Sequence, residues 1–137
     1  MVVSTKGRYA LRVMIDLAEH TGQGYIPMKE VAQRQNISLK YIERLLPPLV
    51  KNHYITAMHG KGGGYRLTMA PSEYRVGDIL RLTEGDLAPV ACLKAQNTEN
   101  CEQMECCRTR PMWEKLDRMI NEFFDGITLE DLMQGRL

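Results

Sequence analysis

Residues 59–64 read His59-Gly60-Lys61-Gly62-Gly63-Gly64, and few local structures accept four glycines in five positions. A helix does not, because every interior glycine carries an added entropic cost. The flanks, Tyr54-Ile55-Thr56-Ala57-Met58 and Tyr65-Arg66-Leu67-Thr68, are rich in β-branched and aromatic residues. Residues 54–68 are therefore expected to form a β-hairpin with a glycine tip carrying one cation, Lys61. A nucleotide-binding loop does not fit, since the G-x-x-x-x-G-K-S/T pattern and a strand-to-helix context are both missing.

What precedes the hairpin is helical. Ala10, Leu11, Met14, Leu17 and Ala18 recur at spacings of three and four, so they form one apolar stripe behind the capping hydroxyls of Ser4 and Thr5. Gly22 and Gly24 close that helix, and a short one follows from Pro27, burying Met28, Val31 and Ala32 and stopping near Asn36. Ser38 is an N-cap for the next helix, with Ile37 placed to staple onto Ile42. Ile42, Leu45, Leu46 and Leu49 face inward and Lys40, Tyr41, Glu43 and Arg44 outward. The pair Pro47-Pro48 is expected to bend or shorten this helix after Leu46, because it removes two backbone donors. Two helices joined by Gln35-Asn36-Ile37 read as a helix-turn-helix over about 27–52, and the hairpin after it completes the order of a winged helix.

Beyond Pro71, Val76, Ile79, Leu80 and Leu82 mark a short amphipathic helix ending at Gly85. A longer helix opens at Pro111. Its broad stripe of Met112, Leu116, Met119, Ile120 and Phe123, widened by Trp113 and Phe124, exceeds what one small core needs, and a twin helix in a homodimer is expected to cover part of it. Thr128 caps a last helix, with Asp131 in the reciprocal position and Ile127 set to staple onto Leu132. The chain thus divides into residues 1–85, a cysteine-rich loop at 86–110, and a dimerisation helix with a C-terminal helix at 111–137. The fold class is mainly α with a small β-hairpin wing.

All four cysteines, Cys92, Cys101, Cys106 and Cys107, lie in the loop. The stretch between them is polar and without helical or strand period, so burial cannot order it; thiolate–metal bonds can. The start Met1-Val-Val-Ser-Thr-Lys lacks the features of a signal peptide, and no apolar run approaches the roughly 18–20 residues of a membrane span. A cytoplasmic protein is expected, where clustered cysteines more often bind metal or sense redox state than form disulfides. Net charge is +1, but residues 1–70 hold ten Lys or Arg against four Asp or Glu, and residues 71–137 eight against thirteen. A basic first half suggests a polyanionic partner for that half. No acid–base constellation or nucleophile elbow is present, so neither an enzyme nor a small-molecule substrate is expected.

The residues together resemble the bacterial winged-helix repressors typified by the iron–sulfur cluster regulator. The similarity runs through Ser4-Thr5-Lys6-Gly7-Arg8-Tyr9-Ala10, Ile37-Ser38-Leu39-Lys40-Tyr41-Ile42-Glu43 and Gly60-Lys61-Gly62-Gly63-Gly64-Tyr65. It continues in the Cys101–Cys107 spacing, Met112-Trp113 and Ile127-Thr128-Leu129-Glu130-Asp131-Leu132. The resemblance implies a homodimeric transcription factor on palindromic double-stranded operator DNA. The helix after Ser38 would enter the major groove and the wing would follow the minor groove. It also implies an iron–sulfur cluster, 2Fe–2S in preference to 4Fe–4S, on Cys92, Cys101 and Cys107.

The pattern is departed from at three places. The loop between the first two cysteines is longer than in the best-known members. Arg110 stands where a ligating histidine is frequent, and His59 stands where Arg is frequent. The fourth ligand is therefore open between Cys106, Glu102, Glu105 and a group from the partner subunit. Zinc or a thiol switch is the alternative at the cysteines, and a sibling sensor of nitric oxide or cysteine status the alternative function. On DNA, Lys6, Lys40, Arg44, Lys51 and Lys61 are expected to neutralise phosphates, Ser4, Tyr9 and Tyr41 to add hydrogen bonds, and Ser38, His59 and Gly62 to lie in the contact surface. Glu43 either accepts from a cytosine amino group or pairs with a neighbour such as Lys40.

Overall fold

Helix α1 (Thr5–Glu19) is the element on which the others pack, and its stripe extends further round than the spacing rule suggests: Ala10, Val13, Met14, Leu17 and Ala18 are all buried. The computed structural model describes residues 3–94, 101–102 and 105–137. The expected lack of period within 95–100 and 103–104 lies outside the described residues. Against α1 lie α2 (Met28–Gln35) and α3 (Leu39–Lys51), followed by β1 (Ile55–Met58), β2 (Gly64–Leu67) and α4 (Val76–Glu84). Then come α5 (Arg110–Asp125) and α6 (Leu129–Gln134).

The turn between α2 and α3 forms as its residues dictate. Asn36 ends α2 in the left-handed conformation, which asparagine tolerates better than most side chains. Ser38 Oγ accepts from Tyr41 N at 3.1 Å, and Ile37 and Ile42 are both buried. Ala32 is half-buried rather than enclosed.

The expected shortening at Pro47-Pro48 does not occur, and α3 runs unbroken to Lys51. Proline deprives the carbonyls of Glu43 and Arg44 of their usual donors, but both residues are exposed, where water can serve. Leu45, Leu46 and Leu49 are meanwhile buried, each contributing about 1.5–3 kcal/mol. Packing on the inner face outweighs two hydrogen bonds lost on the outer one.

The hairpin is antiparallel, pairing Ile55 with Leu67 and Met58 with Gly64. Ile26 adds a bridge to Tyr65, exchanging hydrogen bonds of 2.8 and 2.9 Å that tie the wing to the start of α2. Two of the glycines are required by this fold itself. A Cβ on Gly63 would stand 2.2 Å from the Met58 carbonyl oxygen, and one on Gly64 2.3 Å from that of Ile26. At the base of the wing the buried Tyr74 hydroxyl donates to Tyr54 O at 2.6 Å and accepts from Thr68 N and Met69 N at 3.0 and 3.1 Å.

The C-terminal elements return to the first segment. Arg75 bridges to Thr128, and Leu129 is fully buried in the main core. The expected capping box of α6 is present, with Asp131 N donating to Thr128 Oγ1 and Thr128 N to Asp131 Oδ2. A second core of Val76, Leu80 and Leu87 receives Val3, Ile120, Phe124, Ile127 and Leu132. Arg81 Nη2 donates to both Asp125 carboxylate oxygens at 2.8 Å and joins α4 to α5. No helix among the described residues is long and apolar enough to cross a membrane.

Candidate nucleic-acid interface and cysteine cavity

Among the described residues, the cations expected to meet phosphate are not engaged in ion pairs. Lys6, Lys40, Arg44, Lys51 and Lys61 are all exposed. Arg34 and Arg81 are instead committed to structural carboxylates, Arg34 Nη2 standing 2.7 Å from Asp16 Oδ1. Lys6 lies on α1, Lys40, Arg44 and Lys51 on α3, and Lys61 at the wing tip.

Tyr9 and Tyr41 form an edge-to-face pair with centroids 5.5 Å apart, so α1 and the start of α3 are held in register by aromatic contact. Arg12 lies over the Tyr9 ring and donates to the Gln35 backbone carbonyl and side-chain oxygen. Glu43 is exposed and forms no ion pair among the described residues. Ser38 is exposed, with Oγ already accepting the cap bond, while His59 and Gly62 are exposed in the wing. The Ser4 hydroxyl proton is committed to Glu84 Oε1 at 2.7 Å, leaving only its lone pairs for another partner.

Beneath this surface lies a polar network that hydrophobic patterning does not reveal. Asp16 is 1% exposed and accepts from Arg34 Nε and Nη2 and from Gln35 Nε2. Burial raises its pKa, but the hydrogen bonds from Arg34 and Gln35 and the Arg34 charge outweigh it and hold the carboxyl below its ordinary range. The sequence carries one signal of it: Asp16 falls among buried positions of an apolar stripe, where an acid requires a partner.

Cys92, Cys101 and Cys107 line one cavity of about 110 Å³, together with Val90, Thr109, Arg110 and Trp113. Cys106 is exposed and is not in that wall, and Glu102 and Glu105 are exposed as well. Among the described residues no three His, Cys, Asp or Glu side chains gather at the spacing of a single metal ion. Cys107 sits just before α5. Its pKa is lowered by hydrogen bonds from the Thr109 hydroxyl and from the backbone of Thr109 and Arg110, which favours the thiolate. Arg110 Nε donates to Glu114 Oε1 at 2.8 Å, so the residue standing in place of a histidine forms an ion pair within α5. Thiolate sulfur is the donor that iron–sulfur clusters favour, and this partly apolar recess supplies three of the four ligands such a cluster takes.

The stripe on α5 splits. Met112, Leu116, Met119 and Phe123 are 55, 37, 57 and 62% exposed, and they line one face. Ile120 turns the other way and packs on Val76, Leu80 and Leu87, while Trp113 turns to the cysteine cavity. Of Met112, Trp113, Leu116, Met119, Ile120 and Phe123, the stripe residues expected to form a dimer face, four are therefore presented outward from the protomer.

The description "Rrf2: Iron-dependent Transcriptional regulator" matches residues 3–135. The regulator IscR of Aliivibrio salmonicida is 36% identical over 133 residues, covering 97% of this chain and 77% of that one. That of Pectobacterium carotovorum is 34% identical over 136 residues, 99% and 81% of the two chains. Among solved structures, CymR, the global cysteine regulator of B. subtilis, superposes with a TM-score of 0.82 at 36% identity over 98% of this chain and 97% of that one. T. potens IscR gives 0.78 at 34% identity, covering 100% and 89%.

Proposed function

The chain belongs to the Rrf2 family of transcriptional regulators, and from that premise we propose that it is a cytoplasmic, homodimeric repressor whose cysteine cavity holds an iron–sulfur cluster. It is a DNA-binding regulator and not an enzyme. The observation that carries the cluster reading is the shared cavity of Cys92, Cys101 and Cys107, from which Cys106 is absent. These three thiolates would hold the cluster, 2Fe–2S in preference to 4Fe–4S, and the cluster would supply a redox- and iron-responsive state. The fourth ligand stays open between Cys106, Glu102, Glu105 and a group from the partner subunit, none of the three named residues lining the cavity.

The homodimer rests on the exposed face of Met112, Leu116, Met119 and Phe123. Two copies related by a two-fold axis present two α3 helices to a palindromic operator, with Lys6, Lys40, Arg44, Lys51 and Lys61 neutralising phosphate and Glu43 accepting from a cytosine amino group. On this reading it controls the genes of iron–sulfur cluster biogenesis, the role implied by the resemblance to the iron–sulfur cluster regulators. Ordering the cysteine loop changes operator affinity only by the difference in cluster affinity between the two conformations. A second reading, a thiol sensor of cysteine or redox status, draws support from the stabilised Cys107 thiolate and from the likeness to CymR.

The test is anaerobic purification with a visible spectrum and iron, sulfide and zinc assays. Equal iron and sulfide with thiolate charge-transfer bands are expected in the wild type and in Cys106→Ala, and loss of both in Cys92→Ala, Cys101→Ala and Cys107→Ala. Zinc alone, or no metal after reconstitution, would leave the thiol sensor.

A further inference from the structure

Glu84 is the last residue of α4, and its side chain reaches across to the first turn of α1. One oxygen, Oε1, accepts three hydrogen bonds: from Ser4 N at 2.9 Å, Ser4 Oγ at 2.7 Å and Gly7 N at 2.9 Å. The donors include first-turn amides of α1, which have no partner inside the helix, and the helix dipole favours an anion there. Residue 7 is glycine for this contact, because a Cβ would stand 2.5 Å from that same oxygen and 3.1 Å from Leu80 Cδ2. Burial raises the Glu84 pKa, yet the bonds from Ser4 and Gly7 and the charge of Lys6 lower it overall, so the carboxylate is anionic when it grips α1.

Glu84 also borders the connector to the cysteines. With Asp86, Ala88, Pro89, Val90, Ala91 and Lys94 it lines a polar cavity of about 270 Å³, and Val90 lines the cysteine cavity as well. The connector is shaped locally, Asp86 Oδ1 accepting from Ala88 N at 3.0 Å before the turn that carries Cys92. One carboxylate thus stands between the segment bearing the first cysteine and the helix turn that bears Lys6 and, five residues beyond Ser4, Tyr9 against Tyr41.

We propose that Glu84 is a positioning residue that couples the cysteine segment to the DNA-reading end of α1, by fixing the first turn of that helix against the connector before Cys92. Ordering or releasing the connector shifts Glu84, and with it Ser4, Lys6 and the Tyr9–Tyr41 contact on α3. This rests on the cluster reading above.

The experiment measures operator affinity of the full-length dimer, cluster-loaded and cluster-free, with cluster content read by absorbance in every sample. In the wild type the two forms differ by about 5–150-fold, the ordinary range of such couplings. Glu84→Ala takes up cluster normally but brings that difference to about twofold or less. Gly7→Ala, which pushes a methyl against Oε1, behaves alike, and Glu84→Gln, which keeps an acceptor oxygen, retains most of the difference. A Glu84→Ala protein that loads cluster, melts lower and keeps the wild-type ratio overturns the proposal, since the residue would then be structural alone. A wild type that takes up no cluster overturns the cluster reading and this coupling together. Should Glu84→Ala fail to fold, hydrogen exchange at the Gly7 amide of the wild type decides: different rates in the two forms support the coupling, and equal rates overturn it.

Discussion

Helices α1 and α5 are nearly the same length, yet seven residues of α1 are buried and none of α5 is. α1 is enclosed by its own chain, and even its acid, Asp16, has its hydrogen bonds satisfied within the protomer. α5 turns Ile120 and Phe124 inward and leaves Met112, Leu116, Met119 and Phe123 facing out, beside three thiols in an open recess. The N-terminal head satisfies its own polar and apolar groups as folded, whereas the C-terminal half presents an apolar face and thiols that the proposed homodimer and cluster would cover. Perturbing the two halves should therefore have different signatures: lost stability in the head, and lost assembly with little loss of stability on the outer face of α5.

The largest effect is expected on that outer face. Phe123→Asp should turn the dimer into monomers, seen by sedimentation, and lower operator affinity by on the order of 10²–10⁴-fold as the linkage between two half-sites is lost. Thermal unfolding of the protomer itself should change little. A dimer that persists would erase the contrast with α1.

Next comes the buried acid of the head. Asp16→Ala leaves the half-exposed Arg34 with Glu30 alone and Gln35 Nε2 without its acceptor, and should cost about 1–3 kcal/mol in urea unfolding while cluster uptake stays intact. The carboxyl is depressed in the folded state, so its contribution is present above the unfolded Asp range and is lost as pH falls through the folded value. Wild-type stability should fall as pH drops below about 4, and Asp16→Asn should show a shallower fall; parallel curves would remove Asp16 from the account.

Smaller changes are expected on the surface of α3. Glu43→Ala should relax preference at one operator position by about 1–3 kcal/mol, read by competition among base-substituted sites. Ser38→Ala removes the Tyr41 N cap bond and should cost about 1 kcal/mol in unfolding without altering base preference. A Ser38→Ala protein with changed base preference would mean that the cap residue also reads DNA.

The local grammar of the caps and turns was legible because each of these signals acts over one turn. Ser38, Asn36, Thr128 with Asp131, and the glycines at 63 and 64 each do what their chemistry requires of neighbouring backbone. The prolines misled because a rule about backbone donors is local, whereas the burial of Leu45, Leu46 and Leu49 that outweighs it is tertiary. Glu84 was not legible at all: its partners are 77 and 80 residues away, and nothing around it differs from a solvated helix end. The α5 stripe was read as one face, but the split between Ile120 and Met119 depends on where α4 docks. Of the cysteines, the trio that shares a cavity is the one implied by the family pattern; spacing alone left Cys106 open.

The prolines inside α3 have one more consequence. With no amide hydrogen at residues 47 and 48, the carbonyls of Glu43 and Arg44 must draw hydrogen bonds from solvent on the exposed side of the helix. If α3 enters the groove as proposed, those waters travel with it and become part of the contact, held between backbone and base edges or released on docking. Operator affinity would then respond to osmolyte concentration as well as to salt, and the recognition helix would read its site partly through its hydration.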